Sequence, residues 1–205
     1  MNYKQQLSRF YRNQMKESEV FKLGMTPDFL RENGMPALSM QMTQRVARKV
    51  TQPGGEGVVG HGISRQIMKD IKRQLENPVM IIGNPGKNAY VIVTDKNDYQ
   101  GNPVIIAIHC NRKFERKRVN EIKSIYGRHN FEKYIKREKM KGNVIYMDEK
   151  KADGLRQSGG LQLPKEDATI VHENNIPCAG TDVNGKFEKT LPMAGWSYYS
   201  RSLGE

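Results

Sequence analysis

Six side chains in this sequence are of the types that phosphodiester cleavage without a metal requires: His61, His109, Arg112, Lys123, Ser124 and Tyr126. That chemistry needs a base for the 2′-hydroxyl proton, an acid for the leaving oxygen, and cations or hydrogen-bond donors for the charge that gathers on the phosphorane. Histidine transfers protons near neutral pH. Lysine and arginine carry the balancing charge, and serine and tyrosine hydroxyls can position oxygen. Ser124 and Tyr126 are two apart, so on a strand they share a face, with Ile122 two before. Lys123 then points the other way unless a bulge intervenes. The roles that follow are His61 as general acid or base and Ser124 and Tyr126 as phosphate-positioning groups. Arg112 and Lys123 would balance the charge, with His109 and Arg128 beside them.

Each of these residues also has a plainer reading. His61, set among glycines, can cap a helix. His109 ends an apolar strand and can be a satisfied core-edge histidine. Ser124 and Tyr126 can be a half-buried strand face, His129 a turn residue, and Arg112 a loop charge. What sets the group apart is its convergence on one end of a basic sheet.

The elements that must position these residues are legible as periodicities. Val79–Ile82, Tyr90–Thr94 and Pro103–His109 are β-branched runs bounded by Gly, Pro and Asn, and they read as strands. Val119–Tyr126 reads as a fourth strand with a polar face, and Val144–Met147 as a short fifth. Ile63, Ile67, Ile71 and Leu75 recur every four residues, so a helix is expected there, capped by Ser64 and ended by Asn77-Pro78. His61 stands at its entrance, after a glycine-rich loop from Gln52 to Gly62. A helix from Asn130 to Met140 ends at Gly142.

Towards the N-terminus, Tyr3, Leu7, Phe10, Tyr11 and Met15 form one apolar stripe, so a helix is expected over 3–15. Gly24 breaks a short Val-Phe-Lys-Leu piece. Thr26-Pro27 opens a short helix with Thr26 as cap. Leu38–Met42 alternates as a short strand would, and Thr43 caps a basic helix ending near Val50. The expected class is therefore α+β: an antiparallel sheet of four to five strands packed against helices. Residues 1–50 would form a helical N-terminal region packed on a core at 51–164. Residues 165–205 would form a loop-rich extension, with a hairpin turn at Val183–Lys186 and an aromatic, basic end at Trp196–Arg201.

The chain has 205 residues and a formal charge of +12. Lys and Arg crowd the stretch from Arg112 to Lys141. That balance favours a polyanionic partner, nucleic acid or an acidic protein. Cys110 and Cys178 have no metal-type spacing, and the four histidines form no HxH or HxxxH pair, so neither a metal site nor a cofactor is expected. The two thiols read as free and buried. No apolar run reaches the length of a membrane span, and the N-terminus has no signal-peptide core. A cytoplasmic or virion-associated protein with no membrane partner is expected.

Several short motifs occur together in order: Leu23-Gly24-Met25-Thr26-Pro27, His61 with Ile63 and Ser64, Asn77-Pro78-Val79, Asp98 to Ile105, Ser124-Ile125-Tyr126-Gly127, and Leu161-Gln162-Leu163-Pro164. With these the chain, from about Phe21 to Pro164, resembles the C-terminal domain of phage MuF-type head proteins. That domain is regarded as similar to the barnase, EndoU, colicin and RelE superfamily of metal-independent RNases. The resemblance implies an α+β nuclease acting as a toxin or virion-delivered effector. It maps onto His61, Ser124 and Tyr126 and supplies no full catalytic set. RNA, an acidic immunity protein and phage head proteins are the partners expected. Two other functions stay open. One is ADP-ribosyl transfer, although no Glu-x-Glu or Gln-x-Glu pair is present. The other is a non-enzymatic RNA-binding or virion-associated role.

Overall fold

The computed structural model describes residues 1–54 and 60–159. The expectations for Cys178, Leu161–Pro164, Val183–Lys186 and Trp196–Arg201 fall outside the described residues. Helices α1 (Tyr3–Tyr11), α2 (Asp28–Glu32) and α3 (Gln44–Thr51) alternate with strands β1 (Val20–Met25) and β2 (Ser39–Thr43). Helix α4 (Arg65–Glu76) is followed by β3 (Met80–Asn84), β4 (Ala89–Asn97), β5 (Pro103–Phe114) and β6 (Lys117–Gly127). Helix α5 (Phe131–Met140), β7 (Val144–Met147) and α6 (Glu149–Gly159) complete the described chain.

The class is α+β, and the sheet is larger than expected. Seven strands run in the order β1-β2-β6-β5-β4-β3-β7. It is also mixed, because β2 pairs with β6 in parallel, from Ser39 opposite Val119 to Met42 opposite Ile122. The expected count was short because β1 and β2 come from residues read as mostly helical. Gly24 does not break β1: it sits at φ +105° in a bulge, and the strand runs on to Met25. Thr26 does not cap α2 either. Its hydroxyl lies 2.8 Å from the Leu38 carbonyl and accepts from Asn120 Nδ2 at 2.8 Å. Asn120 is fully buried on β6, donates also to the Pro36 carbonyl at 2.8 Å, and accepts from the Asn111 amide at 3.2 Å. Such an amide is tolerable in a core only when its groups are satisfied. Here it fastens the N-terminal segment to the middle of the sheet.

Two apolar layers cover the sheet. On one face α1, α3 and α4 bring Leu7, Ala47, Val50, Met68 and Ile71 onto Met42, Ile106, Ile108, Ile122 and Ile125. On the other, α5 and α6 bring Phe131, Ile135, Ala152 and Leu155 onto Val79, Met80, Val93 and Ile105. Burial on both sides is why β5 reads as an unbroken apolar run rather than an alternating one. Helix α4 follows its sequence signal: Ser64 Oγ accepts from the Ile67 amide at 3.2 Å, and Ile67, Met68, Ile71 and Leu75 are buried. Helix α1 stops at Tyr11, four residues before the end of the apolar stripe. Helix α6 carried no clear signal, being polar apart from Ala152 and Leu155.

Candidate active site

Strand β6 runs past the end of its neighbour β2, and the candidate site lies at that edge. Strand β2 ends at Thr43, and its last partner on β6 is Ile122. Strand β6 continues to Gly127, so beyond Ile122 it has no strand beside it on that edge among the described residues. The chain turns away there because Thr43 Oγ1 accepts from the Val46 amide at 3.3 Å and starts α3. On its return it docks against the end of α3. His61 N donates to the Lys49 carbonyl at 3.1 Å, Gly62 N to Gln52 at 2.9 Å and Ile63 N to Val50 at 2.9 Å. These three backbone bonds hold His61 and the two residues after it, and the capping of α4 is left to Ser64.

The imidazole meets the open end of β6. His61 Nε2 lies 3.1 Å from Ser124 Oγ. The His61 and Tyr126 rings are 5.4 Å apart between centroids, tilted by 39°. Residues 61 and 124 are thus brought together over a separation of 63 positions.

A bulge sets which side chains take part. Ala107 pairs with Ser124 while Ile108 pairs with Ile122, leaving Lys123 as the extra residue. The alternation therefore slips: Ile122 and Ile125, three apart, are both buried in the layer under α3 and α4. Ser124 and Tyr126 face the other way, and Ile122 does not share their face as strict alternation had suggested. Lys123 is exposed, with Nζ 3.3 Å from Glu121 Oε1.

The remaining expected residues spread out from this point. His109 pairs with Glu121 on β5, two residues along from Ala107, on the order of 7 Å from the Ser124 rung. Arg112 is in β5 rather than in a loop, opposite Val119. It stands five residues from Ala107, roughly 15 Å at strand rise, so it does not join His61 and Ser124. Arg128 lies past the opposite end of β6. Its guanidinium stacks on Tyr134 at 4.6 Å, and its buried Nε has no hydrogen-bond partner among the described residues. Burial pushes the Tyr134 phenol up to about 12.

Burial, then the charge of Lys49, holds His61 below the ordinary histidine value. His109 is held down by desolvation first, then by Lys123 and Arg112, with Glu121 acting in the opposite sense. Both rings are therefore biased to the neutral form. Nδ1 of His61 has no hydrogen bond among the described residues, so one ring nitrogen is anchored on Ser124 and the other is free to act. Among the described residues, no group of three or more His, Cys, Asp and Glu side chains comes together.

Lys49, Asp98 and Tyr99 border this site and were not singled out by residue type. Tyr99, 70% exposed at the β4–β5 connection, leans on Gly62. A cleft of about 640 Å³ opens there, lined by Tyr11, Thr51, Gly62, Ser64, Arg65 and Tyr99 among others. Their signal in the sequence was only the polar stretch from Asp95 to Asn102 between two strands and the basic helix ending near Val50. Two other concavities, of about 420 and 720 Å³, lie along β1 and contain neither His61 nor Ser124.

Residues 56–154 match the family described as the phage MuF C-terminal domain. The match takes in His61, Ser124 and Tyr126 and the sheet from β3 to β7, whereas the motifs at Leu23–Pro27 and Leu161–Pro164 lie outside it. No curated protein and no solved structure matches the chain.

Proposed function

We propose, from the premise that residues 56–154 are a phage MuF C-terminal domain, that this chain is a metal-independent endoribonuclease serving a phage or mobile element as an effector. The observation that carries this reading is the 3.1 Å contact of His61 Nε2 with Ser124 Oγ, beside the Tyr126 ring. Ser124 Oγ accepts from Nε2–H and holds the tautomer in which Nδ1 bears the lone pair. Nδ1 takes the 2′-hydroxyl proton, and the 2′-oxygen attacks the adjacent phosphorus. The 5′-oxygen leaves with a proton from the Tyr126 hydroxyl, and water carries the His61 proton back to the tyrosine. The products are a 2′,3′-cyclic phosphate and a 5′-hydroxyl. Lys123, in the bulge beside Ser124, and Arg128, one residue past β6, would balance phosphorane charge together with Lys49, whose charge already acts on His61. His109 and Arg112 would hold RNA farther along the sheet.

The charge of +12 supports RNA as the partner and leaves room for an acidic immunity protein. The phage family supports association with head proteins and a virion location. Among the described residues no helix is long and apolar enough to cross a membrane.

The test is incubation of the purified chain with tRNA and total RNA in EDTA, with mapping of the product ends. Cyclic phosphate ends from the parent and none from His61→Ala are expected. Intact RNA, or equal cleavage by the variant, overturns the reading. The β5–β6 hairpin, which carries Arg112, Lys113, Arg116, Lys117 and Arg118, favours a second one: RNA binding without cleavage. Tight, salt-sensitive binding with no product would establish it.

A further inference from the structure

We propose that the cleft beside His61 is a nucleobase subsite, with Tyr99 as its stacking platform. Among the described residues Tyr99 is the one large aromatic that stands mostly in solvent, at 70% exposure. Its loop is tied rather than loose. Asp98 Oδ1 accepts from the amides of Gln100 at 2.9 Å and Asn102 at 2.8 Å. The Asp98 amide donates to the Asn102 carbonyl at 2.9 Å, and Gly101 N to the Asp98 carbonyl at 3.1 Å. The ring is thus presented at little entropic expense, as a stacking surface should be.

Position matters as much as exposure. A β-carbon on Gly62 would stand 3.0 Å from the Tyr99 ring, so the ring lies within one residue of His61. Gly62 also adopts φ +59°, the left-handed region that favours glycine. The facing wall is polar. It includes Thr51 and Ser64, whose hydroxyls bond the Ala47 carbonyl and the Ile67 amide, and Tyr11, whose hydroxyl is buried with no hydrogen-bond partner among the described residues. Arg65 lies 4.4 Å above the Tyr11 ring. An exposed aromatic face with a cation on the facing wall is what a base stacks on and presents its edge to. The cleft volume, about 640 Å³, falls in the roughly 300–1,000 Å³ span of small-ligand sites.

The subsite rests on the reading of this edge as an RNA site, but stacking can be measured without cleavage. The probes are fluorescein-labelled single-stranded RNA and DNA hexamers of one sequence, titrated into the full chain by anisotropy in the His61→Ala background. Tyr99→Ala is expected to weaken both about ten-fold, since stacking is worth roughly 1–3 kcal/mol per base and ignores the sugar. Tyr99→Phe should bind as the parent does. In a cleaving parent, Tyr99→Ala should raise KM and leave the pH profile of kcat in place. Weaker binding by Tyr99→Ala alongside an inactive parent supports the subsite and removes the nuclease reading. Equal binding by Tyr99→Ala, or no binding of either hexamer by the parent, overturns the subsite. In the second case the ring is left as a contact for a protein.

Discussion

The Asp98 carboxylate occupies the space beside Gly127 in which any side chain there would have to stand. It ties the β4–β5 connection, and with it Tyr99, to the end of β6 next to Tyr126. Gly127→Ala must therefore move the Asp98 loop or the strand end. We expect a loss of about 1–3 kcal/mol, as for other overpacked sites, read as a lower urea midpoint at unchanged slope. Gly154→Ala is the matched control, because a β-carbon there meets nothing within 4 Å. In the middle of α6 it should stabilise by about 0.5–1 kcal/mol.

The two perturbed histidines predict how stability follows pH. In the unfolded chain each protonates at its ordinary value of 6.5, whereas in the fold both are held lower. Below that pH the unfolded state binds more protons, so stability falls as pH drops through 6.5 towards the folded values. The carboxylates of Glu19 and Asp148 are also depressed, but from 4.5 and 3.8, so their stabilisation is lost at lower pH still. Urea midpoints at pH 7.5, 6.5 and 5.5 should decline for the parent. The His61→Ala, His109→Ala double variant should be flatter over the same window. An unchanged slope in that variant would mean that burial does not bias these rings.

The same depressed value shapes the proposed catalysis. A base held below the ordinary histidine value of 6.5 gives a kcat/KM that rises with pH and reaches its plateau at lower pH than an unperturbed histidine would give. His61→Ala should lose about 10²–10⁴ of the rate, the usual contribution of a positioned base. Ser124→Ala removes only the anchor of Nε2. A net hydrogen bond of about 1 kcal/mol corresponds to roughly a five-fold loss. Rapid-quench cleavage of a labelled RNA across pH 5–8 separates the two. A Ser124→Ala rate below that of His61→Ala would place the chemistry on the serine instead.

Local signals were legible wherever a single element carried them. The stripe of Ile67, Ile71 and Leu75 gave α4, and the β-branched runs gave β3 to β6. The pairing of His61 with Ser124 and Tyr126 was also reachable, because a glycine-flanked histidine at a helix entrance and a polar strand end are both marked by residue type. What stayed hidden is set by partners distant in the chain. The parallel seat of β2 on β6 comes with a bond from Asn120 to Thr26, 94 positions away, and nothing near Thr26 distinguishes that bond from a helix cap. The bulge at Lys123 is a matter of register with β5, so alternation alone placed Ile122 on the wrong face. Arg112 looked like a loop charge because the run of basic residues masks a strand that pairs to its last residue.

The bond between Asn120 and Thr26 also predicts that the segment before the matched domain is part of its fold. Asn120 Nδ2 donates to Thr26 Oγ1 at 2.8 Å with both side chains buried. Asn120→Leu leaves the Asn111 amide and the Thr26 hydroxyl without their Asn120 partner, while the Pro36 carbonyl keeps Thr26 Oγ1 and the Leu38 amide. Thr26→Val removes the hydroxyl that accepts from Asn120 and faces the Pro36 and Leu38 carbonyls. Each should lower stability by about 1–3 kcal/mol, the desolvation penalty of an unsatisfied buried group. The pair should show a coupling of about 0.5–3 kcal/mol in a double-mutant cycle, because each variant has already removed part of what the other loses. Calorimetric melting of the four proteins measures it. Additive losses would mean that residues 1–43 pack on the sheet independently of Asn120. A clear coupling would mean that β1 and β2 fold with β6 as one unit, and that the edge holding Ser124 depends on them.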